Sequence, residues 1–124
     1  MKKISEEKII KGMKALAEMR SPGLKFDSDK VPLSLLSSVW LLGVGRVLAF
    51  GAKKYASHNW RGGIQNSRLM DAAMRHILAY NDGEDLDPET GLSHLDHASC
   101  CLMFARELAE RKPEFDDRYK PVKK

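Results

Sequence analysis

Between Asp82 and His97 the chain concentrates groups that bind cations and move protons. Asp82, Glu84, Asp85, Asp87 and Glu89 place five carboxyl groups in eight positions, and His94 and His97 follow closely. Like charge at this density is costly unless solvent or a cation offsets the repulsion. Carboxylate oxygens are hard ligands that suit Mg²⁺ or Mn²⁺, and imidazole tilts the choice toward Mn²⁺ or another transition ion. A calcium EF-hand loop does not fit. If Asp82 opens the loop, Gly83 stands second, where that motif needs glycine sixth. A solvated acidic turn is the alternative reading.

The two histidines stand three residues apart, one helical turn, which suits shared metal coordination or paired contact with a phosphate. At about 100° per residue, His94, His97, Cys101, Ala105 and Leu108 form one stripe. Asp96, Met103, Glu107 and Glu110 fall on the opposite, outward side. Inward histidines also occur as satisfied core residues. In the preceding helix, Leu69, Met70, Ala73, Met74, Ile77 and Tyr80 make the expected core face. His76 sits at its edge, either reaching the cleft or acting as a half-buried spacer. Asp71 and Arg75, four apart, are placed to form a surface ion pair.

Cations and aromatics complete the set of candidate groups. A triphosphate needs several cationic donors, and a base needs an apolar platform. Lys25 and Lys30 flank an Asp-containing loop, while FGAKKYASHNWRGG carries Lys53, Lys54 and Arg61 beside Tyr55, Asn59 and Trp60. A helix end with lysines favoured by its dipole, and a Trp anchoring a loop, would explain the same residues.

These groups must be held by helices, because no alternating apolar and polar run with hairpin signals is present. Residues 4–20 suit a short helix before the Ser21-Pro22-Gly23 breaker, and 21–33 read as a loop. Ser34 could cap a helix to about Ala56, with Leu35, Val39, Leu42, Arg46 and Ala49 at helical spacing. Gly43 and Gly45 weaken it by about 1 kcal/mol each but permit close packing. A loop over 57–66 precedes Ser67, an N-cap candidate for a helix to about Asp82. Ser93 is positioned to cap the last helix, which runs to about Arg111 before Pro113 stops it. The expectation is one all-α domain over 1–124, a compact helical bundle with its core over about 24–111 and a frayed, charged tail over 112–124.

With 21 Lys plus Arg against 17 Asp plus Glu, the net charge is +4 and the pI about 9.1. This mild surplus permits a nucleotide or another polyanion as partner and does not demand one. Cys100 and Cys101 are neighbours in a helical stretch and cannot form an ordinary disulfide with each other. The N-terminal stretch carries Glu6, Glu7 and Lys8 where a signal peptide needs an apolar run. The apolar stretch from Val39 to Phe50 is too short to span a bilayer. A soluble, cytoplasmic protein with no membrane partner is expected.

The runs KFDSDKVPL, FGAKKY, NWR and RHILAYNDGEDLDPETGLSHLDHA, in this order, resemble the phage and bacterial family of dATP/dGTP diphosphohydrolase N-terminal domains. The resemblance covers about residues 24–108. That family is related to the MazG-like, all-α nucleoside triphosphate pyrophosphohydrolases. The resemblance implies Mg²⁺- or Mn²⁺-dependent hydrolysis of a deoxynucleoside triphosphate, dGTP or dATP, to the monophosphate and pyrophosphate. It would make Glu84, Asp87, His94 and His97 metal ligands, with Glu84 and His97 also catalytic. Lys54, Arg61 and Arg75 would hold phosphates, with Asn59 and Trp60 near the nucleotide; Lys30 and His76, from their positions in the chain, are further candidates for substrate contact. By analogy it also implies a homo-oligomer, dimer or tetramer, in the host cytoplasm if phage-encoded.

One departure stands out. MazG-like chains carry ExxE followed by ExxD, whereas here Glu84 and Asp87 have the ExxD spacing and precede Glu107 and Glu110. The chain either builds its site from Glu84, Asp87 and the histidines or has lost the standard activity. A non-enzymatic nucleic-acid-binding or phage regulatory protein, using Lys53, Lys54, Arg61 and the basic tail, is the competing function. Its affinity would fall steeply with salt.

Overall fold

The computed structural model describes residues 4–19 and 23–122. The Ser21-Pro22 part of the expected breaker and the last two lysines of the tail lie outside them. Packing divides the chain into two units, Met1–Leu33 and Ser34–Lys124. The first contains helix α1, Glu6–Met19, whose Ile9, Ile10 and Met13 are exposed. A turn closed by Lys30 N–H donating to Asp27 C=O (2.9 Å) follows α1 in this unit.

The second unit holds α2 (Ser38–Lys54), α3 (Asn66–Asn81) and α4 (His94–Arg111). No strand occurs among the described residues, so the all-α class holds. Among the described residues no helix is long and apolar enough to cross a membrane. α4 is central, packing against both α2 and α3. Val44 and Val47 of α2 meet Cys100 of α4, with Leu48, Leu92 and Phe104 alongside, and Leu69, Ala73, Ala98 and Leu108 are also buried. Burial pushes the Cys100 thiol up to about 12, so it behaves as a small apolar side chain.

Several details differ from the sequence expectation. α2 starts at Ser38, after a short 3-10 turn over Leu33–Leu35, because Ser37 and not Ser34 caps it, accepting from Trp40 N–H (3.2 Å). The spacing Leu35, Val39, Leu42, Arg46 and Ala49 traces the exposed side of α2, since contact with α4 runs along Gly43, Val44 and Val47. Asp96 faces inward rather than outward: a Cβ on Gly43 would collide with its carboxylate. Gly43 is what lets α2 approach this close.

In α3, Leu69 and Ala73 are buried, but Met74, Ile77 and Tyr80 are largely exposed, as the helix is covered along one narrow line. Asp71 and Arg75 form no ion pair among the described residues. Nor does Ser67 cap α3. Gln65 occupies the cap position without a side-chain bond, and Asp117 of the tail accepts from Ser67 N–H (2.7 Å) and from its hydroxyl. These contacts hold the Asp117 carboxyl below its ordinary range. The tail is therefore docked through this point, with the Phe115 ring filling the space beside Gly63 (φ 113°).

Candidate functional site

α3 ends and α4 begins at one mouth, and the chain between them is shaped by its own backbone bonds. Gly83 takes φ 103°, a left-handed conformation natural to glycine, and Glu84 N–H then reaches back to Ala79 C=O (3.0 Å). From there Asp87 N–H donates to Leu92 C=O (2.8 Å) and His94 N–H to Asp85 C=O (3.0 Å), around an antiparallel bridge between Leu86 and Ser93. Ser93 caps α4 as expected, accepting from Leu95 N–H (3.1 Å). Asp96 and His97 N–H groups donate to Ser93 C=O. The first amides of α4 are thus satisfied within the chain and do not form a phosphate cradle.

This closure brings five of the polar candidates together. His94, only 3% exposed, sits between two partners: Glu84 Oε1 lies 2.6 Å from its Nε2, and His76 Nδ1 lies 2.8 Å from its Nδ1. Asp87 Oδ2 lies 3.9 Å from His76 Nδ1. One donor atom each from His76, Asp87 and His94 falls within 4.8 Å of the others, a group able to hold a metal ion. His97 stacks on His76 with ring centres 4.6 Å apart, and its Nε2 is hydrogen-bonded to Thr90 Oγ1 (2.7 Å).

The electrostatics disfavour the charged form of His76 and His97 and favour that of Asp87. Burial, reinforced by the neighbouring His97, pushes His76 below the ordinary histidine pKa against the pull of Asp87. Burial likewise lowers His97, with Asp87 opposing. At Asp87 partial burial works against ionisation, but Thr90 and Glu89 N–H donate to Oδ1 (3.0 and 2.9 Å) and the two histidines face it. Its carboxyl is held below the usual range. Neutral imidazole and ionised carboxylate are the ligating forms.

The other candidates lie around or away from this cluster. Lys54, at the end of α2, forms an exposed ion pair with Glu89 of the loop (3.3 Å), which places it on the rim. Arg75, exposed, precedes His76 on α3. Lys30 belongs to the first unit. Asn59, Trp60 and Arg61 form a 3-10 turn that meets α4 lower down: Trp60 stacks on Phe104 (4.5 Å), and Arg61 lies over Trp60 and pairs with Glu107. Glu107 is therefore engaged rather than outward, while Glu110 is exposed in a pair with Arg106.

Thr90 was not singled out from sequence. It donates through its backbone to Asp87 and meets His97 through its hydroxyl, joining the loop to α4. The run Asp87-Pro88-Glu89-Thr90, with an acidic side chain accepting from amides two and three residues on, is the local signal that could have revealed it.

A family model described as dATP/dGTP diphosphohydrolase, N-terminal, matches residues 20–118. A dATP/dGTP diphosphohydrolase of Salmonella phage PMBT28 is 46% identical over 96 residues, which cover 77% of this chain and 33% of that protein. The chain thus spans about a third of the length of this curated relative. No solved structure matches. The matched segment contains the whole histidine and carboxylate cluster, and the chain belongs to the dATP/dGTP diphosphohydrolase N-terminal family.

Proposed function

We propose that the chain hydrolyses a purine deoxynucleoside triphosphate, dATP or dGTP, to the monophosphate and pyrophosphate with the help of Mg²⁺ or Mn²⁺. The observation that carries this reading is the convergence of His76, Asp87 and His94, with Glu84 behind, in a chain whose phage relative is named a dATP/dGTP diphosphohydrolase. Two imidazoles and one carboxylate are a donor set that fits a divalent ion. Such an ion, when bound, neutralises phosphate charge and lowers the pKa of water.

In this reaction water oxygen attacks the α-phosphorus, the bond to the bridging oxygen breaks, and pyrophosphate leaves with the electron pair. His97, whose charged form burial disfavours, is the group we assign to take the water proton, through Nδ1 because Nε2 meets Thr90. Lys54 on the rim and Arg75 beside His76 meet the phosphates, Lys54 by exchanging Glu89 for the substrate. The protein works as a homo-oligomer, dimer or tetramer. Val39 (81% exposed), Leu42 (60%) and Met74 (58%) supply apolar surface that supports this.

The test is release of pyrophosphate and deoxynucleoside monophosphate from a panel of triphosphates with Mg²⁺ or Mn²⁺. Turnover of dATP or dGTP is expected, and no release from any triphosphate would sink the reading.

A further inference from the structure

The geometry at His94 speaks to two further points: the class of ion this site takes and the role of Glu84. A carboxylate only accepts hydrogen bonds, so Glu84 Oε1 at 2.6 Å fixes the His94 ring proton on Nε2. Nδ1 then carries the lone pair, on the opposite side of the ring from Glu84. It points at His76 Nδ1, 2.8 Å away. Two ring nitrogens this close cannot present lone pairs to each other, and a proton or a cation must lie between them.

The third donor is Asp87 Oδ2, 3.9 Å from His76 Nδ1. Around an ion with bonds of about 2.1 Å, donors stand about 3 Å apart at right angles and about 4.2 Å apart when opposite. The two measured separations, 2.8 and 3.9 Å, lie close to and within that span. His97 is not in the group, since its Nε2 is hydrogen-bonded to Thr90.

We propose that His76, His94 and Asp87 bind a first-row divalent transition ion in preference to Mg²⁺, and that Glu84 is a positioning residue rather than a ligand. The inference rests on the metal-assisted reading above. Mg²⁺ favours oxygen donors and retains its waters, whereas imidazole suits Mn²⁺, Fe²⁺, Co²⁺ or Zn²⁺. A carboxylate behind a ligating histidine sets its tautomer and raises its basicity, and losing such a partner typically costs 10–100-fold in metal affinity.

Mn²⁺ is the probe. The chelator-stripped chain is titrated with Mn²⁺ under electron paramagnetic resonance, and pulsed measurements read nitrogen coupling to the bound ion. One tightly bound Mn²⁺ coupled to two imidazole nitrogens, and resistant to a large excess of Mg²⁺, is expected. Glu84→Gln should weaken Mn²⁺ binding roughly 10–100-fold with both nitrogen couplings retained. His76→Gln and His94→Gln should each remove one nitrogen, with helix content checked by circular dichroism. If a histidine variant does not fold, the nitrogen count in the parent protein still decides.

Bound Mn²⁺ without nitrogen coupling, displacement by equimolar Mg²⁺, absence of Mn²⁺ binding, or wild-type affinity in Glu84→Gln would each overturn the proposal. Pyrophosphate release from the same samples separates the two readings. Nitrogen-bound Mn²⁺ without hydrolysis would leave this site standing and remove the hydrolase. Hydrolysis with Mn²⁺ held by oxygen alone would do the reverse.

Discussion

The loop from α3 to α4 and the loop from α2 to α3 both end against α4, yet they meet it through different chemistry. At the first, His76, Asp87 and His94 converge through polar atoms, and Glu84 and Thr90 hold two of the imidazoles from outside. At the second, Trp60 stacks on Phe104 and Arg61 pairs with Glu107. Phe104 is seven residues beyond His97, about 10 Å along the helix. An aromatic stack with an ion pair on its rim anchors a loop by apolar contact. A 3%-exposed histidine held between a carboxylate and a second imidazole contributes less packing and more chemistry. The same helix thus carries a polar, imidazole-rich end and an apolar supporting middle.

The contrast can be broken at either place, and the largest effect is expected at the imidazole-rich end. His94→Gln should lower pyrophosphate release more than ~100-fold while helix content is kept, because it removes a proposed ligand and the partner of Glu84. Phe104→Ala should act on stability instead. It takes away the Trp60 stack and apolar contact with the Val44, Val47 and Cys100 cluster, costing about 2–4 kcal/mol in denaturant unfolding. Its Mn²⁺ affinity, measured below the unfolding midpoint, should match that of the parent protein.

Gly43→Ala should cost somewhat less, about 1–3 kcal/mol, by forcing Asp96 and α2 apart. A mild effect of pH sharpens the comparison further. His76 and His97 have folded-state pKa values below the ordinary 6.5, so below that pH the unfolded chain binds more protons than the folded one. Their neutral burial is without penalty above pH 6.5, and stability should fall as acid takes the pH down toward the folded-state values. Thermal midpoints measured from pH 7.5 down to 5.5 should decline, with a shallower slope in a His76→Gln, His97→Gln double variant.

Helix ends were legible where they are written locally, whereas Ser34 and Ser67 are not the caps that α2 and α3 use. Ser93 caps α4, Pro113 follows its end, and Gly83 terminates α3. The stripe that turns His94 inward also followed from periodicity. Which face of α2 is covered did not, because that helix is apolar on more than one side and only the fit of Gly43 against Asp96 selects the contact. The Asp117 bond to Ser67 spans fifty residues and leaves no local trace. At the site, spacing identified the histidines and the acidic loop. The placement of Glu84 behind His94, and of His76 in front of it, depends on how the loop closes through Asp85 and Leu92.

The most direct measurement is anomalous diffraction at the manganese edge from crystals grown with Mn²⁺ and a non-hydrolysable dATP or dGTP analogue. A peak within bonding distance of His76, Asp87 and His94, with the triphosphate beside it, is the expected result. A peak among Glu107 and Glu110, with the histidines bare, would contradict the assignment of the chemistry to the mouth of α3 and α4.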